Sequence, residues 1–151
     1  MSVVSIPDFF QLLAKWIGAR GLPCKADGCD LTLWDGLWVK GDLLVSEWEG
    51  ELRCLEDKEL VEAIKVTAYP DCVAKASPAS VEPPYVELYG GEESAILLGV
   101  ADGRVVLVEA SGGQVGCVCI TDIDVEKFKK AVHILERRYI EMYKLLHHAR
   151  G

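Results

Sequence analysis

Between Val125 and Ala149 the residues Val125, Phe128, Val132, Leu135, Tyr139, Met142, Leu146 and Ala149 follow one another at intervals of 3, 4, 3, 4, 3, 4 and 3. A mean repeat of about 3.5 residues held for more than three heptads specifies one helix with an unbroken apolar seam. Asp122 or Asp124 can cap its start, which predicts a helix over about 124–150. At a rise of 1.5 Å per residue it is roughly 40 Å long, more than a sheet of short strands covers. Ile134, Ile140, Tyr143 and Leu145 add a second apolar stripe. The expectation is that one face lies on the chain's own sheet, while Phe128, Val132, Leu135, Tyr139, Met142 and Leu146 join copies into a dimer or tetramer. The alternative is a helix packed wholly on its own core.

The rest of the chain reads as α+β, an antiparallel sheet flanked by helices, within a single domain over 1–151. Ser5 followed three residues later by Asp8 resembles a capping box, Pro7 suits a first turn, and Gly21 and Pro23 end the helical spacing of Ile6, Phe9, Phe10, Leu13, Trp16 and Ile17. This predicts a helix over 6–20. From Leu31 short apolar runs alternate with turn signals, of which Asp35-Gly36 is the strongest for a hairpin. A second helix is expected over about 56–66, with Leu60, Val61 and Ile64 as its stripe. Residues 69–84 carry Pro70, Pro78, Pro83 and Pro84 without periodicity and read as a long surface connection. Four strands should follow, Tyr85 to Tyr89, Ala95 to Val100, Val105 to Ala110 and Val115 to Thr121, the middle two covered on both faces.

The N-terminal residues lack the basic and apolar segments of a secretory signal, and no stretch nears the roughly 18 apolar residues of a membrane span. The expected compartment is the cytoplasm. There is no Asn, and Gln occurs only at positions 11 and 114, a depletion typical of heat-adapted proteins. In such cells disulfides occur inside the cytoplasm. Six cysteines therefore leave bridges open, and Cys24 with Cys29 is a candidate pair. The net charge of −8 conceals an asymmetry. Residues 124–151 hold seven Lys or Arg against four acids (+3), and residues 1–123 hold nine against twenty (−11).

No catalytic constellation is legible. The three His all lie in the last helix, no Ser-His-Asp or Cys-His motif occurs, and Gly90-Gly91 and Gly112-Gly113 are turn signals rather than a phosphate loop. No Cys-x-x-Cys is present, so no metal or cofactor is expected; Cys117 and Cys119, two apart on a strand, read as core thiols. The aromatic pattern points to binding. Trp34, Trp38 and Trp48 cluster beside Lys40 and Arg53, and strand-borne aromatics with nearby cations hold single-stranded nucleic acid by stacking. Turn geometry pairs Trp34 with Leu37 and Leu33 with Trp38, which sends Trp34 and Trp38 to opposite faces; core filling is the competing role for these Trp.

The segment Trp34-Asp-Gly-Leu-Trp38-Val-Lys40, the missing Asn and the basic helix Lys127 to Arg150 resemble ThermoDBP and its related proteins, single-stranded DNA-binding proteins of hyperthermophilic archaea that lack the OB fold. The resemblance implies a non-catalytic homo-oligomer acting in genome maintenance, with single-stranded DNA as ligand and RNA as the alternative strand. Trp34, Trp38 and Trp48 would stack bases, and Lys40, Arg53, Arg137 and Arg138 would meet phosphates. A second resemblance is to the roadblock/MglB-like domain, carried by Leu31 to Val39, Tyr85 to Leu88 and Gly99 to Val108. It implies the order helix, two strands, helix, three strands, helix, in a homodimeric scaffold for a small GTPase.

Overall fold

The computed structural model describes residues 3–26, 28–76, 80–91, 93–112 and 114–148. Its elements are β1 (Val3–Ser5), α1 (Ile6–Arg20), β2 (Leu22–Pro23), β3 (Leu31–Trp34), β4 (Leu37–Lys40), β5 (Leu43–Trp48), β6 (Glu51–Glu56), α2 (Lys58–Ala68), β7 (Cys72–Ala76), β8 (Glu82–Gly90), β9 (Ser94–Ala101), β10 (Arg104–Ser111), β11 (Gln114–Thr121) and α3 (Val125–His148). The fold is α+β with two largely antiparallel sheets. No described helix is long and apolar enough to cross a membrane. The chain divides into two compact units, one of residues 1–7 and 63–136, the other of residues 8–62 and 137–151.

In the first unit six strands run in the order β1-β8-β9-β10-β11-β7, with β1 parallel to β8 and the remaining pairs antiparallel. Val105 lies opposite Val100, and Leu107 opposite Leu98, on one face; Val106 and Val108 turn to the other. Leu98, Val100 and Val105 are buried, and so are Ala101, Val106 and Val108, which gather Val81, Leu97 and Ile120 around them. The middle strands are thus covered on both faces, as their continuous apolar runs require. The expected connection over 69–84 is not structureless: it contains β7, paired to β11, and the start of β8. Its prolines hid the second strand, because Pro83 and Pro84 supply no donor and the β8–β9 ladder skips from Glu82 to Val86. Residues 77–79, Pro78 among them, lie outside the described set.

In the second unit five strands run β2-β6-β5-β4-β3, all pairs antiparallel. Leu37, Val39 and Leu44 share one face and are fully buried, as are Phe9, Leu13 and Ile17 of α1. Asp57 caps α2 by accepting from Leu60 N at 3.1 Å, so this helix begins and ends two residues later than its apolar stripe indicated. Five strands separate α1 from α2, where the roadblock order has two.

Asp124, not Asp122, caps α3, its Oδ2 accepting from Lys127 N at 3.0 Å. Seam residues Phe128, Val132, Leu135 and Met142 are buried by the chain itself, and Tyr139 and Leu146 are half-buried. The seam was expected to join copies. Four of those six residues are covered within the chain instead, and the residues left outward are Ile140 (52% exposed), Tyr143 and Leu145. The last seam position, Ala149, lies outside the described residues.

Candidate binding surface

The five-stranded sheet sorts the three tryptophans by face. Trp34 lies opposite Leu37, Leu37 opposite Ser46, and Trp48 stands two residues beyond Ser46 on β5. Directly paired residues share a face and alternate residues return to it, so Trp34 and Trp48 stand on one side. Trp38 lies opposite Thr32 and Val45 and points to the other. Its partner is Thr32 rather than Leu33 because β3 bulges between Thr32 and Trp34.

Trp34 and Trp48 also share an end of the sheet, where the Asp35-Gly36 and Glu49-Gly50 turns close their hairpins. Gly36 has φ +73°, and its carbonyl accepts from Glu47 N at 2.8 Å, tying the first turn to β5. Glu49 and Gly50 both take positive φ, 52° and 81°, the backbone of a two-residue hairpin loop matched to strand twist. Two strand spacings across and two residues along separate the Trp34 and Trp48 Cα atoms by on the order of 12 Å. Both indoles reach water, at 41% and 74% exposure. Trp38 is half-buried, and its Nε1 is buried without a hydrogen-bond partner among the described residues. Trp38 therefore stands on the face away from Trp34 and Trp48 with its ring partly covered.

The cations expected at phosphates are mostly held by carboxylates. Lys40 lies 3.6 Å from Asp30, on the face and end opposite to Trp48. Arg53 donates to Gly21 O at 3.0 Å and pairs with Glu51 at 3.2 Å. Arg138 sits among Asp57 (3.2 Å), Glu59 (3.3 Å) and Glu141 (3.9 Å). It borders a cleft of about 180 Å³ walled by Trp16, Leu55, Leu60 and Met142, in which its charge already faces the Asp57 and Glu141 carboxylates. Arg137 is exposed, as are Lys127, Lys129, Lys130 and Lys144 of α3. The predicted set therefore does not converge. Two indoles stand at one end of one sheet, and the register places Arg53, opposite Ser46, on their face.

Sequence reasoning missed the carboxylates of that end. Asp35 and Glu49 sit in the two turns, Glu51 lies directly opposite Trp48, and Glu47 precedes it; all four are exposed. The alternation in Val45-Ser-Glu-Trp-Glu-Gly-Glu51 was the available signal, since it places a carboxylate on each side of Trp48.

The cysteine pairing also differs from expectation. Cys24 is bonded to Cys54, not Cys29, because β2 pairs with β6 and brings the Cα atoms of residues 24 and 54 to 5.9 Å. Cys29 is exposed, its thiol 3.4 Å from Thr32 Oγ1. Cys119 is not a free core thiol; it is bonded to Cys72 across β11 and β7. The Cys117 side chain lies outside the described residues. Among the described residues no group of three or more His, Cys, Asp or Glu is placed to hold a metal ion.

Comparison with family models, with curated proteins and with solved structures finds no match to this chain.

Proposed function

We propose that the protein is a non-catalytic binding protein whose contact surface is the Trp34/Trp48 end of the five-stranded sheet, and that its partner is a polypeptide. The observation that carries this reading is the pair of exposed indoles on one face. Large aromatic side chains supply much of the contact energy in protein interfaces, and these two extend the buried Leu37/Val39/Leu44 face into water at its end. The ion pairs of Lys40, Arg53 and Arg138 favour a polypeptide over a polyanion, because a phosphate would have to displace the carboxylates already there.

Single-stranded DNA is the second reading, favoured by the exposed Lys127, Lys129, Lys130, Arg137 and Lys144 on α3. We further propose a cytoplasmic homo-oligomer joined through the outward residues Ile140, Tyr143 and Leu145; disulfides in that compartment fit a heat-adapted source.

A photo-crosslinking amino acid at position 48 tests the partner class. Under the polypeptide reading the adducts are digested by protease and resist nuclease. Nuclease-sensitive adducts, together with saturable quenching of tryptophan emission by oligo-dT at low salt, contradict it in favour of DNA.

A further inference from the structure

We infer that the Trp34/Trp48 end docks a cationic polypeptide segment, one that presents arginine or lysine side chains; this rests on the polypeptide reading above and names the partner's chemistry. Trp48 and Glu51 face each other across the β5–β6 ladder. Side chains so paired have Cβ atoms about 5 Å apart, and a cation held over an indole sits within about 6 Å of the ring. A guanidinium or ammonium over Trp48 is therefore within reach of the Glu51 carboxylate as well. The ring face supplies the main attraction, since Glu51 already pairs with Arg53 at 3.2 Å and would be shared between the two cations.

The surrounding charge points the same way. Asp35 and Glu49, in the two turns, are exposed and have no ion pair among the described residues, so two carboxylates at this end lack a counter-charge; Glu47 lies on the other face of the sheet. The nearby Arg53 is half-buried and spent on Glu51 and on the Gly21 carbonyl. An apolar or acidic partner would cover the indoles but leave those carboxylates desolvated or repelled. A cationic segment satisfies both. Strand positions whose Cα atoms lie on the order of 12 Å apart match two basic residues of one extended segment separated by about four residues, at roughly 3.3 Å each.

The test measures anisotropy of three labelled peptides of equal length, one rich in Arg and Lys, one neutral and apolar, one rich in Glu, and of labelled oligo-dT, against the wild-type protein at 50 mM salt. The inference predicts that only the cationic peptide binds. Trp34→Ala and Trp48→Ala should each weaken it about fivefold or more. Asp35→Asn/Glu49→Gln should weaken it and flatten its salt dependence. Failure of the cationic peptide to bind, or binding that neither Trp substitution changes, overturns the inference. Trp-dependent binding of the neutral or acidic peptide instead overturns it while leaving the polypeptide reading standing, and Trp-dependent binding of oligo-dT overturns both.

Discussion

Asp57 accepts from Leu60 N through Oδ1 at 3.1 Å and lies 3.2 Å from Arg138 Nε through Oδ2, so one carboxylate caps α2 and also meets a cation of α3. The Nε contact is an ion pair without hydrogen-bond alignment, since that Nε has no hydrogen-bond partner among the described residues. Asp57→Ala removes both roles and should cost about 2 kcal/mol, an N-cap alone being worth about 1. Arg138→Met removes the pair only; with the guanidinium partly open to solvent, its loss should stay under about 1 kcal/mol. Urea denaturation of the two variants checks the order.

Leu135 is fully buried and Ile140 half exposed. Leu135→Asp should therefore unfold the chain or cost more than about 3 kcal/mol, because it buries a carboxylate in an apolar site. Ile140→Asp should change stability by no more than about 0.5 kcal/mol and, if the outward residues join copies, lower the mass measured by light scattering. An unchanged mass for Ile140→Asp removes this face from the assembly.

The disulfides close loops of 30 and 47 residues, Cys24 to Cys54 and Cys72 to Cys119. Each constrains the unfolded chain by about 2–4 kcal/mol. Reduction should shift the denaturation midpoint sharply downward. Cys29→Ser should leave it in place, because that thiol makes one contact, to Thr32 Oγ1, at the surface.

Trp38 carries a buried, unpartnered Nε1. Trp38→Phe removes a donor that costs about 1–3 kcal/mol to leave unpaired, against the packing lost with the smaller ring. The net change should be within about 1 kcal/mol of zero. A loss above 3 kcal/mol would mean that the indole nitrogen is satisfied in solution.

Local signals carried most of the fold. Ser5 and Pro7 before the Phe9–Ile17 spacing marked α1, which spans Ile6–Arg20 as expected, and Asp102-Gly103 marked the β9–β10 hairpin. What escaped was set by long-range pairing. Cys24 found Cys54 through the β2–β6 register, and nothing in the five-residue spacing to Cys29 reveals that. Strand β7 was hidden among prolines because its partner, β11, is far along the chain. The heptad of α3 correctly announced a helix. It could not say which body its seam would meet, since an intramolecular core and a second copy demand the same apolar spacing. For the binding surface, the Trp-rich hairpin was legible; its charge was not, because Lys40 and Arg53 look free in sequence and are neutralised by Asp30 and Glu51 in space.

The most direct measurement of the central claim is the change in environment of Trp48 when a polypeptide ligand binds. Wild-type protein and Trp48→Phe are titrated side by side with the Arg- and Lys-rich peptide while tryptophan emission is followed. Quenching should be saturable in the wild type and largely lost in Trp48→Phe, with the fold unchanged because residue 48 is 74% exposed. Equal quenching in both proteins would place the contact elsewhere and contradict the account.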